Sequence, residues 1–161
     1  MDFKLTFCAD EAYYKEGYRE IISSFKLKKY EPLFAGISIV AGIGLYVYDR
    51  HHILGLFPFV FSISGIYTFY KTYYEKKKWL KDRMTSKIAN EMLEIAFSDI
   101  EIKHLGPFSK GEMRWDGLKD ILETKNGILI KPENGLSIYL SKKQFANREQ
   151  IEFVLSKKIK N

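Results

Sequence analysis

Two uncharged apolar runs restrict what this chain can fold into more than any other feature of it. The first, Leu33 to Tyr48, reads LFAGISIVAGIGLYVY; Asp49-Arg50-His51-His52 follows; the second, Ile53 to Tyr70, reads ILGLFPFVFSISGIYTFY. Neither run shows the polar stripe that a surface helix turns to water. As helices rising ~1.5 Å per residue they reach roughly 24 and 27 Å. That is short of a ~30 Å hydrocarbon core, but within the tolerated range once flanking tyrosines are counted. Tyr30 precedes the first run, and Tyr67, Tyr70, Tyr73 and Tyr74 surround the end of the second, as in an interfacial belt. The rival reading is a helical hairpin buried in a soluble protein. A chain of 161 residues has little protein with which to cover two helices that are apolar all round. The pattern therefore predicts a two-helix transmembrane hairpin over residues 32–71.

Within the hairpin, Ser38 and Gly42 form a small-xxx-small pair, with Gly36 and Gly44 nearby, which suits close approach to the partner helix. Pro58 is expected to kink the second helix. No Asp, Glu, Lys, Arg or His lies inside either run, which argues against an ion pathway or proton relay.

The flanks carry the charge. The chain holds 26 Lys+Arg against 20 Asp+Glu, a formal net charge of +6, while its mean hydropathy is only mildly negative, at -0.23. That average hides a segregation: apolar residues gather in one block and lysine fills the rest. Lys26, Lys28 and Lys29 precede the first run; Lys71, Lys76, Lys77, Lys78, Lys81 and Arg83 follow the second. By the positive-inside rule both termini face the cytoplasm and the polar break faces outward. Lys76, Lys77 and Lys78 are also candidate contacts for anionic lipid headgroups. Because the basic residues track the membrane boundary, nucleic acid is not an expected partner. The single cysteine, Cys8, excludes an internal disulfide. The first ten residues, MDFKLTFCAD, lack the apolar core of a signal peptide, so the hairpin itself is expected to direct insertion.

Outside the hairpin, Phe3, Leu5 and Phe7 alternate with polar residues as a half-buried strand does, and Asp10 suits the cap of an amphipathic helix. These make an N-terminal element over 1–31. Residues 72–91 read as a helix connecting the hairpin to a final segment, 92–161. There, short strands are predicted at Met92–Phe97, Ile100–His104 and Gly111–Trp115, the last continuing through Ile121–Lys125, then at Ile128–Lys131 and Leu136–Leu140. Asn126-Gly127 is a hairpin turn signal. An amphipathic helix closes the chain from about Asn147 to Lys158, with Ile151, Val154, Leu155 and Ile159 on one face.

The sequence carries few marks of chemistry. There is no glycine-rich phosphate loop, GxSxG elbow, HExxH or cysteine pair. His51 and His52 are adjacent and point apart on any regular element, which suits a loop better than a metal site. His104 reads as an exposed strand position. Asp116, Asp120 and Glu123 read as solvated turn carboxylates in the absence of a partnering motif, and Trp115 as a core anchor of the sheet. No catalytic, cofactor or metal residue is expected.

The segment from about Met92 to Ile159 resembles the C-terminal domain of the bacterial YcxB-like family. The resemblance rests on MRWDGLKDILETKNGILIKP, on LSIYL, and on the basic-aromatic step SKKQF before a closing helix. The layout also matches: strand and helix, two-helix hairpin, then this domain. Where the family often has a proline before the basic-aromatic step, Leu140-Ser141 stands here. The resemblance implies an α+β membrane protein whose small pleckstrin-homology-like antiparallel domain is capped by its last helix. By analogy with that fold, Lys142 and Lys143 become further candidate contacts for anionic lipid. The family implies no established activity. The expected function is that of a non-catalytic, multi-pass bacterial inner-membrane protein. Its cytoplasmic domain would mediate protein interaction or sense the membrane surface, with a protein partner or a second copy of the chain as candidate partners. An immunity-type protein protecting against a toxin is the alternative.

Overall fold

The computed structural model describes residues 1–49 and 53–158. Arg50, His51 and His52 of the polar break, and Ile159 of the predicted closing helix, lie outside them. The chain divides into two compact units, one of Met1–Ser24 with Leu80–Asn161 and one of Phe25–Trp79. The hairpin segment is therefore an insertion within a unit whose first strand and helix precede it.

In the β-rich unit, β1 (Phe3–Cys8) pairs antiparallel with β2 (Met92–Phe97), although residues 9–91 separate them. Their register sets Phe3 against Phe97, Leu5 against Ile95 and Phe7 against Leu93. Cross-strand partners share a face, so the alternation in FKLTFC directs three apolar side chains inward together. β3 (Glu101–Leu105) and β4 (Lys110–Arg114) complete a four-stranded sheet ordered β1-β2-β3-β4. A three-stranded sheet follows, β5 (Leu118–Glu123), β6 (Gly127–Pro132) and β7 (Ile138–Ser141).

The predicted third strand running on into ILETK is instead two strands in different sheets. A single 3-10 turn at Trp115–Gly117 breaks it. The Trp115 side chain is buried, stacks near Phe97, meets Phe153 edge-on and donates from Nε1 to the Ser98 carbonyl at 2.8 Å. Anchoring this one large side chain fixes where the chain crosses between sheets.

Each face of the second sheet is covered. Ile121, Ile130 and Ile138 share one face by register. Tyr139, on the other, meets α1 (Glu11–Ser24), where a Cβ on Gly17 would come within 3.1 Å of its ring. Covering on both sides explains why the consecutive residues Ile128, Leu129 and Ile130 are all buried. Asp10 caps α1 as expected, accepting from Tyr13 N at 2.7 Å. The closing helix α4 (Arg148–Ser156) is capped by Asn147, which accepts from Gln150 N at 3.0 Å. It buries Ile151 and Val154 and sets Phe153 against Phe3.

The inserted unit holds α2 (Glu31–Tyr48) and most of α3 (Phe57–Met84). One helical stretch, Lys28–Tyr48, is long and apolar enough to cross a membrane, and only 11% of its apolar window is buried. The second run does not qualify among the described residues. Its first residues, Ile53–Leu56, form a turn in which Asp49 accepts from Ile53 N at 2.8 Å and Leu54 N at 2.9 Å. Helix starts at Phe57 and continues unbroken into the lysine-rich stretch, so no boundary separates the second run from the expected connecting helix. Pro58, expected to kink this helix, is its second residue. There its missing N–H costs nothing, and it starts the helix rather than bending it.

α2 and α3 meet through small residues. A Cβ on Gly42 would collide with Ser62 and come within 2.6 Å of the Pro58 carbonyl; one on Gly65 would come within 2.6 Å of the Ala35 carbonyl. Ser38 Oγ donates to the Phe61 carbonyl at 2.8 Å. Of the small residues picked out in the sequence, Ser38 and Gly42 serve this contact. Gly44 faces open space, and Gly65, on the second helix, is the essential counterpart.

Candidate functional site

The inserted unit inverts the usual distribution of side chains. Leu33, Phe34, Ile37, Val40, Ile43 and Val47 on α2, with Phe57, Val60, Ile63 and Ile66 on α3, are all exposed. Soluble monomers rarely leave a contiguous apolar surface of this extent open. Tyr30, Tyr70, Tyr73 and Tyr74 lie toward the lysine-bearing ends, with Tyr70 stacked on Tyr74 at 6.0 Å and the Lys29 ammonium 4.7 Å from the Tyr30 ring; Tyr46 and Tyr48 stand at the other end of α2. Lys28 and Lys71 both approach Glu75, each at 3.8 Å. Lys76, Lys77 and Lys78 are exposed. Being consecutive on a helix, they fan around most of a turn rather than forming one face.

The other two lysines predicted to meet anionic lipid belong to the β-rich unit and are engaged within it. Lys142 Nζ lies 2.9 Å from Glu123 Oε1 and donates to the Thr124 carbonyl at 2.9 Å. Lys143, mostly exposed, lies 3.6 Å from Glu16 Oε2. Lys142 thereby joins the β5–β6 turn to the segment after β7, and holds the Glu123 carboxyl below its ordinary pKa.

Lys143 belongs to a polar contact between α1 and the second sheet that no local pattern announces. The Tyr139 hydroxyl donates to Glu16 Oε1 at 2.6 Å, Ser141 Oγ donates to the same oxygen at 3.0 Å, and the Tyr13 hydroxyl donates to the Tyr139 carbonyl at 2.6 Å. Beside them, Asn126 Nδ2 donates to Glu20 Oε1 at 2.7 Å, and Glu20 is buried. The Tyr139 hydroxyl, with help from Ser141 and Lys143, holds the Glu16 carboxyl below its ordinary pKa. Burial, then the bond to Glu16, pushes the Tyr139 phenol well above its own. The cluster fastens a helix.

The carboxylates after Trp115 are spread over separate ion pairs: Asp116 with Arg114 at 3.1 Å, Asp120 with Lys158 at 3.3 Å, and Glu123 with Lys142 and Arg148. His104 departs from expectation. It is half-buried and faces inward, in register with Ile95. The sequence held the signal, because His104 shares its parity with the buried Ile102. His51 and His52 lie outside the described residues. Among the described residues, no group of three or more His, Cys, Asp or Glu side chains could hold a metal ion.

The architecture is α+β: two antiparallel sheets and a C-terminal helix. The family model for YcxB-like proteins matches residues 97–157, from the last residue of β2 through α4. The chain carries a YcxB-like domain over these residues. Neither curated proteins nor solved structures supply a match. The matched segment does not contain the whole of its own unit, since β1, α1 and nearly all of β2 lie before it.

Proposed function

We propose that this chain is a non-catalytic membrane-anchored protein. Its helical hairpin sits in the bilayer, and its β-rich unit, on the cytoplasmic side, binds a protein partner or reads the membrane surface. One observation carries the reading: apolar side chains stand exposed around both α2 and α3, while the residues joining the two helices are small. Water penalises that arrangement by about 25 cal/mol per Å2 of apolar surface left open; a bilayer removes the penalty. The basic residues flanking the hairpin support an orientation with both flanks inside. Four strands plus three, closed by a C-terminal helix, support the pleckstrin-homology-like fold that the family resemblance implies.

The test has two parts. After alkaline carbonate extraction the full chain is expected to stay in the membrane pellet; release into the supernatant contradicts the anchor. A photocrosslinking residue placed at exposed Phe108 or Leu136, in cells, is expected to yield a discrete protein adduct or lipid adducts. Neither kind at either position contradicts the interaction role.

A further inference from the structure

The two sheets of the β-rich unit face each other, and α4 lies against β5 and the aromatic cluster at one end of them. Toward β4 and β7 the space between the sheets stays open, as a cleft of about 350 Å3. Its volume falls within the range of small-molecule sites. The cause is a side chain that is missing. Register aligns Leu5, Ile95, His104 and Gly111 in one row across the four strands. Leu5 and Ile95 are buried. The row then ends on a glycine whose added Cβ would meet nothing within 4 Å. Glycine inside a strand weakens it and often marks close approach by a ligand or another backbone.

The cleft walls are aliphatic: Ile102 and Met113 from the first sheet, Ile130 and Ile138 from the second. A half-open cleft with such walls favours a guest that is mostly apolar. The polar element on the wall is His104, whose side chain has no hydrogen-bond partner among the described residues. At the rim, the Glu112 carboxylate is answered by Lys103 at 3.3 Å. Aliphatic walls without a ring to stack on favour a flexible chain over a planar aromatic ligand, and one hydrogen-bonding group at the side suits one polar head.

We propose that this cleft binds the alkyl chain of a single-chain lipid, whose carboxyl or hydroxyl head hydrogen-bonds to the His104 imidazole. The proposal does not rest on the membrane reading, because every residue in it belongs to the β-rich unit.

The test uses the full chain in phosphatidylcholine nanodiscs, a fatty acid carrying a photoactivatable group in its alkyl chain, and mapping of adducts by mass spectrometry. Adducts are expected on the segments carrying Met113 and Ile138. They should be competed by laurate if the head is a carboxylate, or by monolaurin if it is a hydroxyl. Gly111→Leu fills the cleft and should reduce these adducts roughly tenfold without lowering the melting temperature. His104→Ala should weaken competition by the headed ligand severalfold and leave that of plain dodecane unchanged. Adducts confined to residues 25–79, adducts at Met113 undiminished by Gly111→Leu, or dodecane competing as well as the headed lipids in the native chain would each overturn the proposal. Should Gly111→Leu lose cooperative melting, Ile138→Phe narrows the same cleft from the opposite sheet and decides the matter. Failure of the chain to enter the nanodiscs contradicts the anchor alone, and binding is then read in solution.

Discussion

Isoleucine has opposite fates in the two units. Ile128 and Ile130 of β6 are 0% exposed, whereas Ile43 of α2 is 55% exposed and Ile63 of α3 is 65% exposed. The side chain is the same; what differs is whether its own unit covers it. In the β-rich unit the apolar residues face one another, and charge is dispersed over surface pairs such as Lys4–Glu94 and Asp120–Lys158. In the hairpin the close contact between helices is made at Gly42, Ser62 and Gly65, with Ile39 against Gly65 and Tyr46 against Phe59, while most other large side chains are exposed. Close approach through small residues is a packing that membrane helices use, and it is the one the proposed anchor requires. The comparison thus separates folding driven by burial from folding driven by close backbone contact.

Substitutions can break that contrast or sharpen it. The largest expected effect comes from the β core: Ile130→Ala should cost about 2–5 kcal/mol of stability, by the cavity it leaves. Ile43→Ala, removing the same atoms from an exposed hairpin position, should leave the melting of the β-rich unit unchanged. Thermal or chemical denaturation of the full chain measures both, and equal losses would erase the distinction between the units.

Next in size is a charge on the exposed apolar surface of α2. Val40→Lys should disfavour membrane insertion by about 2.5–3.5 kcal/mol, read as the fraction of the chain recovered with membranes. A water-facing helix would tolerate that change with little effect.

The clasp between α1 and β7 comes third. Glu16→Gln should remove about 1–2 kcal/mol by weakening charge-assisted bonds from Tyr139 and Ser141. The folded protein holds this carboxyl below its ordinary pKa. Its contribution is therefore complete above the ordinary carboxylate value and is lost as pH falls through the lowered one. Replacing Glu16 should flatten part of the acid limb of the stability curve. Asp99 and Glu123, lowered in the same direction by their cationic neighbours, should preserve the remainder.

The smallest effect is expected at the lysines. Each of Lys76→Gln, Lys77→Gln and Lys78→Gln should weaken attraction to anionic vesicles by about 1 kcal/mol. Neutral vesicles should show no difference.

Much of the fold was legible because the signals that write it are local. The alternation of Phe3, Leu5 and Phe7, the cap residues Asp10 and Asn147 and the burial of Trp115 are each read within a few residues; the turn signal at Asn126-Gly127 marks the right hairpin, although Gly127 already belongs to β6. What stayed hidden depends on parts of the chain far apart in sequence. Glu16 and Tyr139 are 123 residues apart, and nothing near either marks the other as its partner. The division of the strands into two sheets turns on Trp115, whose anchoring partner Ser98 lies on another loop. Gly65 reads as an ordinary helix glycine until Ala35 is placed beside it. The candidate lysines were visible as charge, but a sequence shows no counter-ions, and those of Lys142 and Lys143 come from Glu123 and Glu16. The cleft follows from Gly111 only once register sets it opposite His104.

The claim at the centre of this account is that the hairpin crosses the bilayer twice and leaves the β-rich unit inside. It is tested most directly by thiol accessibility, with Cys8→Ser as the background. Asp49→Cys places a thiol at the hairpin tip, and Lys110→Cys places one at the exposed start of β4. In cells with an intact inner membrane, an impermeant thiol reagent should label position 49 at once and position 110 only after the membrane is permeabilised. Labelling of position 110 from outside, or equal labelling of both before permeabilisation, would contradict it.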